Sequence, residues 1–182
     1  MNKILLIAFA VLLVSGVLRA EYGHIGPFAD EAHSICSVNN PEGSILQFRT
    51  WIWILPSENG MIAGGFKISY PSNVADDVFA QNPDISISLG SPSTGIDFAF
   101  AECHMGWTWL CYQECYLLDS SPSQIQVVPH PSNGASTVVE VANCQNGFPL
   151  EPLVTVCHLF LNQPCYYSVE SITWGSIKGL YK

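Results

Sequence analysis

The fold is decided by residues 96–118, which read IDFAFAECHMGWTWLCYQECYLL. In the first half of this stretch, Ile96, Phe98 and Phe100 alternate with small or polar residues. This period of two, rich in aromatic residues, predicts β-strands, and the short connection at 104–106 predicts a hairpin. The second strand is apolar on both faces, with Trp109 expected on the same face as Cys111. We therefore expect it at the centre of a β-sandwich, covered on both sides.

The rest of the chain continues this pattern of short apolar segments separated by proline and glycine. Segments of this kind occupy residues 24–28, 45–55, 61–70, 85–89, 124–128, 136–142 and 153–161. Together with the hairpin they make about nine strands, with turn residues at the regular spacing of an all-β sandwich. The sequence therefore predicts a single antiparallel β-sandwich, without internal repeats or a linker.

The first twenty residues have the layout of a secretory signal peptide. Lys3 precedes an uninterrupted apolar run at 4–14, and small residues follow, among them Gly16 and Ala20. The run is shorter than the roughly 20 apolar residues that a bilayer requires. We expect cleavage after Ala20, with cleavage after Gly16 as the alternative. The predicted organisation is a signal peptide at 1–20, a β-sandwich at 21–168 and a tail at 169–182, in a secreted, periplasmic or cell-surface protein.

The charge of the mature chain disfavours anionic partners. Without residues 1–20, four fixed cations face fifteen carboxylates, which leaves a formal net charge of −11. Such a surface repels phosphate groups, so nucleic acids and anionic membranes are not expected as partners. No transmembrane segment is expected after signal cleavage.

All seven cysteines follow the predicted signal peptide, and this location predicts disulfides. Cys111 and Cys115 would lie roughly 13 Å apart on one strand at ~3.3 Å per residue, too far for a bond. The leading pairs are Cys103–Cys144, at strand ends next to turns, and Cys36–Cys165, in segments that gain most from a covalent tie. The cysteines are expected to be mostly oxidised, with one left over, and Cys111, Cys115 and Cys157, on strand interiors, are expected to supply the free thiol.

The sequence gives little support for catalysis or for metal binding. The sequence has no Gly-x-Ser-x-Gly motif. Adjacent strand residues such as Cys157 and His158 point to opposite faces and cannot act as a nucleophile and its base. The cysteine spacing of the hairpin does not suit zinc, and the acidic cluster at 76–84 lacks EF-hand spacing. We therefore expect a non-enzymatic protein without a metal or cofactor.

Two tryptophan pairs are the best functional lead. Trp51 and Trp53 share one predicted strand face, and so do Trp107 and Trp109. An exposed pair would form a flat platform for sugar rings or for an apolar patch of a partner protein. The alternative is that these rings pack between the sheets.

Two segments carry a resemblance to a known family. GFKISYPSNV at 65–74, followed by GIDFAF at 95–100, resembles the early strands of cohesin-type modules. In those modules an amphipathic strand ends in a Tyr-Asp-Pro-like turn, where this chain has Ser72 in place of the acidic residue. The resemblance implies a β-sandwich of the cohesin-like or immunoglobulin-like kind.

The C-terminal sequence SITWGSIKGLYK at 171–182 carries a second resemblance. It is similar to a Trp-Gly-x-(Ile/Val)-Lys-x-Leu-Tyr-Arg terminus on uncharacterised small secreted bacterial β-sandwich proteins, and this implies secretion. We expect a short helical or irregular tail in which Trp174, Ile177, Lys178 and Tyr181 serve as a signal for an export or surface-attachment machine. The alternative is a tail that packs against the last strand.

These observations predict a secreted, acidic, non-enzymatic β-sandwich that binds a protein or polysaccharide at the cell surface. Two alternatives stay open: a structural envelope subunit, and a hydrolase whose site residues are dispersed along the chain.

Overall fold

The computed structural model describes residues 22–134 and 136–165. Twelve strands follow one another along this part of the chain: β1 (Gly23–Phe28), β2 (Ser37–Val38), β3 (Leu46–Leu55), β4 (Met61–Ser69), β5 (Val74–Gln81), β6 (Ile85–Ser91), β7 (Gly95–His104), β8 (Thr108–Leu117), β9 (Ser123–Pro129), β10 (Val139–Ala142), β11 (Leu150–Thr155) and β12 (Leu159–Leu161). A single turn of 3₁₀ helix lies at Pro131–Asn133. The described residues contain no helix that is long and apolar enough to cross a membrane.

The strands form two layers. The front layer has the order β5-β8-β3-β1-β11-β10, and the back layer has the order β6-β7-β4-β9-β12-β2. Strand β10 also pairs with β4 and so joins the two layers along one side. The prediction of an all-β sandwich is confirmed.

Two details of the predicted sandwich are wrong. The pairing is mixed, because β1 pairs with β11, and β2 with β12, in parallel. The described strands also number twelve instead of about nine. One of the additional strands is β5. Its residues Asp76 and Asp77 interrupt the apolar alternation that would predict a strand, yet β5 pairs with β8.

The core lies between the two layers and is built from the inward residues of each strand. Ile52 and Ile54 on β3 belong to the same buried cluster as Phe66 and Ile68 on β4. Each fully buried side chain of this size contributes roughly 1.5–3 kcal/mol. Because consecutive strand residues alternate between faces, the odd-numbered neighbours of Ile52 and Ile54 lie on the outer side of β3.

A β-bulge in β8 changes which residues face the core. Ile52 pairs with Cys111, but the next residue, Trp53, pairs with Trp109, so Leu110 is an extra residue. Leu110 and Cys111 are both buried as a result. The expectation that Trp109 shares a face with Cys111 is wrong, because one inserted residue reverses the alternation of the strand. Trp109 instead lies on the outer side of the front layer.

The structure joins Cys36 to Cys165 and Cys103 to Cys144, the two pairs expected from the sequence, with Cα–Cα distances of 5.8 and 5.9 Å. Cys111, Cys115 and Cys157 are unpaired and buried. Cys157 lies in the connection between β11 and β12, and not on a strand interior as expected.

Segment 1–20 and the tail residues Trp174, Ile177, Lys178 and Tyr181 lie outside the described residues. The domain boundaries at 20 and 168 therefore stay predictions.

Candidate functional site: an aromatic face on β3 and β8

The outer side of β3 and β8 carries a continuous cluster of aromatic rings. Trp51 lies opposite Tyr112 across the two strands, and their ring centroids are 4.7 Å apart. Trp109 meets Trp51 edge-on at 5.4 Å and stacks toward Tyr112 at 6.4 Å. Aromatic pairs at these separations contribute about 0.5–1.5 kcal/mol beyond the area they bury. The bulge is the cause of this arrangement, because it turns Trp109 to the side of Tyr112.

A second group of rings extends the cluster toward the β7–β8 hairpin. The imidazole of His33 lies between Trp53 and Trp107, with centroid distances of 4.7 Å to each indole. Its ring is nearly parallel to that of Trp107, with an interplanar angle of 24°. We call the six residues the aromatic face: His33, Trp51, Trp53, Trp107, Trp109 and Tyr112.

His33 is held in place by a tight turn after β1. The Asp30 carboxylate accepts hydrogen bonds from the backbone amides of Ser34 (2.9 Å) and Ile35 (2.7 Å) and from the Ser34 hydroxyl (2.6 Å). Burial raises the pKa of Asp30, but these hydrogen bonds outweigh it and keep that pKa below its usual value. The turn places His33 at a φ of 47°, a left-handed conformation that is uncommon outside glycine.

Two polar atoms inside the aromatic face are buried without a hydrogen bond from the described residues. They are Nε1 of Trp53 and Nδ1 of His33. Leaving such a group unsatisfied costs about 1–3 kcal/mol. A left-handed backbone conformation and these two buried, unsatisfied atoms therefore coincide in the aromatic face.

A cleft of about 340 Å³ opens at the hairpin end of the aromatic face. Its apolar walls are Trp53, Trp107 and Trp109, and its polar lining comes from Asn82, Asp84, His104 and Thr108, next to Pro83. This volume falls at the small end of the range for ligand pockets, which is about 300–1,000 Å³. We refer to it below as the cleft.

The turn between β5 and β6 forms the polar wall of the cleft. Nδ2 of Asn82 donates to the carbonyl of Trp109 at 2.7 Å, and Oδ1 of Asn82 accepts from the amide of Asp84 at 2.9 Å. Asn82 is thus occupied at both ends and serves to position its neighbours. The Asp84 side chain is exposed, and its carboxylate makes no hydrogen bond with the described residues.

The far end of the aromatic face is charged. Nε of Arg49 donates to Glu114 Oε1 at 2.6 Å, and the guanidinium lies 4.9 Å from the centre of the Tyr112 ring. The hydrogen bond to Glu114, together with its negative charge, raises the pKa of Arg49 above its usual value. This exposed pair aligns β3 with β8 but contributes little to stability.

The structure merges the two predicted tryptophan pairs into a single cluster with unequal exposure. Trp51 is only 7% exposed and lies beneath its neighbours, Trp53 and Trp109 are half-buried, and Trp107 is 36% exposed. His33 was not identified from the sequence, and the β5–β6 turn was considered there only as part of the acidic cluster at 76–84. The Asp30–Ser34 spacing is typical of a side-chain-stabilised turn, but nothing in it predicts which ring the turn would present.

A second group of polar residues lies on the back layer. Nδ1 of His130 is 2.7 Å from the hydroxyl of Ser132, and its Nε2 is 3.8 Å from the carboxylate of Asp97. The order of the three groups matches a nucleophile, a base and an orienting acid, but Nδ1 already accepts the backbone amide of Ser132 at 3.1 Å. The distance to Asp97 also exceeds that of a hydrogen bond. We interpret the group as the cap of the 3₁₀ turn.

The residues considered for zinc do not converge. Cys103 is bonded to Cys144, while burial raises the pKa of Cys111 and of Cys115 to about 12 and keeps both as neutral thiols of the core. Among residues 22–134 and 136–165, no group of three or more histidine, cysteine or acidic side chains is placed to hold a metal ion.

No model of a known protein family matches the sequence, and no curated protein matches it. Among solved structures the chain is similar to three cohesins. They are the non-cellulosomal cohesin of the archaeon Archaeoglobus fulgidus (12% identity, 77% of this chain and 89% of that one, TM-score 0.49), a type I cohesin from a cohesin–dockerin complex of Clostridium thermocellum (10%, 78% and 94%, 0.48), and the seventh ScaB type I cohesin of Pseudobacteroides cellulosolvens (7%, 81% and 96%, 0.48).

Proposed function

We propose that this protein is an exported, non-enzymatic binding module that recognises a partner at the cell surface through its aromatic face. The observation that carries the proposal is the cluster of six rings on the outer side of the front layer, with Trp107 partly exposed beside an open cleft. The indoles of Trp53, Trp107 and Trp109 lie outside the buried core between the layers. Exposed aromatic patches bordered by polar residues mark interaction sites.

The chemistry of the face suits binding. It offers indole surfaces, one exposed carboxylate at Asp84 and one guanidinium at Arg49. Tryptophan and arginine are the residue types that most often dominate binding energy at interfaces. Polysaccharides and proteins are the two classes of partner that such a face accommodates.

Export is supported by the covalent ties of the fold. The Cys36–Cys165 bond joins residues 129 positions apart, and the Cys103–Cys144 bond joins residues 41 apart. Such bonds persist in oxidising compartments. The signal peptide predicted at 1–20 agrees with this location.

The proposal is tested with purified mature protein on a glycan array and against a displayed peptide library. We expect at least one ligand whose affinity falls about tenfold or more in Trp53→Ala and in Trp107→Ala, as expected for aromatic hot spots. Tyr116→Ala is the matched control, because Tyr116 lies on the same side of β8 but at its other end. A ligand whose affinity is the same in all three variants would overturn the assignment of the aromatic face.

The two alternative functions have separate readouts. A structural envelope subunit would assemble into large particles in analytical ultracentrifugation, whereas the binding module is expected to sediment as a small species. A hydrolase would turn over at least one substrate of a panel of esters, glycosides and peptides, whereas the binding module is expected to turn over none.

A further inference from the structure

We infer that the ligand of the cleft is a neutral sugar chain, an inference that rests on the proposed function of the aromatic face. The cleft combines three indole walls with a wall of hydrogen-bonding groups. A sugar ring presents both kinds of surface, since its C–H groups form apolar faces and its hydroxyl groups project around the rim.

The Trp107 indole is held in a position where a sugar ring can stack on it. One side of its ring is covered by the imidazole of His33, nearly parallel at 24°, and the strained turn at Asp30 fixes that imidazole in place. The indole therefore loses little conformational freedom when a ligand covers its exposed part. The negative face of an aromatic ring attracts the slightly positive C–H groups of a sugar.

The polar wall of the cleft offers a hydrogen-bond acceptor to the hydroxyl groups of a sugar. The Asp84 carboxylate is exposed, accepts no hydrogen bond from the described residues, and can accept two from adjacent hydroxyls. His104 and Thr108 also line the cleft, but the Thr108 hydroxyl already donates to the carbonyl of Gly106 at 3.0 Å and lies 3.4 Å from Nδ1 of His104. Asn82 fixes the backbone of Asp84, so this acceptor is positioned before a ligand arrives.

Charge disfavours an anionic chain. No lysine or arginine lines the cleft, whereas Asp84 does, and the whole chain has a formal net charge of −9. A carboxylated or sulfated sugar would be repelled and would find no cation to pair with.

The experiment titrates the mature protein with neutral hexasaccharides of glucose, mannose, xylose and N-acetylglucosamine, and with an oligogalacturonate as the anionic probe. Binding is followed by tryptophan fluorescence and by calorimetry. We expect at least one neutral chain to bind, with affinity reduced about tenfold in Trp107→Ala and severalfold in Asp84→Asn. Tyr116→Ala should bind as the unchanged protein does, and circular dichroism confirms that each variant is folded.

The outcomes separate this inference from the proposed function. The inference is overturned if no neutral chain binds, if the oligogalacturonate binds equally well, or if both cleft variants retain full affinity. A peptide ligand lost in Trp107→Ala, with no sugar bound, would overturn the inference and support the proposed function. If no ligand of any kind depends on Trp53 or Trp107, both fail together.

Discussion

His33 lies at the centre of the aromatic face in a backbone conformation that favours glycine. Substitutions can separate the contribution of the His33 ring to stability from the cost of its backbone conformation. His33→Gly removes both, so the two effects on stability offset each other, whereas His33→Ala removes the ring and keeps the strain. We expect His33→Ala to be less stable than His33→Gly by about 1 kcal/mol in urea denaturation. Equal stabilities would mean that the turn relaxes and that His33 is not strained.

Glu151 is the second residue whose role can be read from its contacts. It accepts hydrogen bonds from the Ser57 hydroxyl (2.5 Å) and from the amide groups of Asn59 (2.6 Å) and Asn143 (2.8 Å). Burial raises the pKa of Glu151, but the three hydrogen bonds outweigh it and lower that pKa below the usual 4.5. The ionised group therefore ties the loop after β3 to β11.

A lowered pKa in the folded state has a defined consequence for acid stability. The contribution of Glu151 is complete above the unfolded-state value of 4.5 and is lost as the pH falls through the lower, folded-state value. We expect Glu151→Gln to lose less stability than the unchanged protein between about pH 7 and pH 3. Glu58→Gln, on the exposed neighbouring turn, removes the same charge and should leave the acid profile unchanged. Identical profiles for all three proteins would contradict the assignment.

Strand β6 is an edge of the back layer and is exposed in an unusual way. Ile87 and Leu89 are 61% and 67% exposed, and the strand carries no charged residue. Strand β5, an edge of the front layer, carries Asp76 and Asp77, which discourage pairing with another chain. The two edges therefore differ in their protection against aggregation.

This difference predicts the effect of a charge on each edge. Leu89→Lys should slow aggregation at high concentration and change the unfolding free energy by less than about 0.5 kcal/mol, because the side chain contacts mostly solvent. Asp77→Ser on β5 is the reciprocal variant and should accelerate aggregation. Light scattering over time measures both, and unchanged rates in both variants would show that neither edge governs association.

For the molecule as a whole, the number of reactive thiols shows whether the chain is folded. Burial raises the pKa of Cys111, Cys115 and Cys157 to about 12, and the other four sulfurs are in disulfides. We expect no thiol to react with a disulfide reagent in the native protein, three to react in denaturant, and seven after reduction. Six or seven reactive thiols in the native protein would rule out both disulfides.

The tail at 171–182 is tested by deletion. If it is a signal, the truncated protein keeps its melting temperature within a few degrees but changes its location or its attachment to the cell surface. If it packs on the sandwich, Trp174 is part of a buried contact and the melting temperature falls by several degrees, as expected for a loss of 1–2 kcal/mol or so. Cell fractionation and calorimetry on the same variant distinguish the two.

The sequence by itself determined the fold class and most of the longer strands. The alternation of Ile96, Phe98 and Phe100 is a local property, and so is the punctuation by proline and glycine, because the period of two follows from backbone geometry. The cysteine pairs were also within reach, since Cys103 and Cys144 were expected at strand ends next to turns, and Cys36 and Cys165 in otherwise mobile segments. The presence of tryptophans at 51, 53, 107 and 109 indicated where a site was to be sought.

Only the tertiary structure decided which way those tryptophans face. The bulge at Leu110 reverses the direction of Trp109, and it exists because β8 pairs with β3 in a particular register. The insertion of His33 between Trp53 and Trp107 and the approach of Asp84 to the cleft join segments that are far apart in the chain. Hydrogen bonding between strands sets these placements, and it depends on residues that no local window of sequence contains.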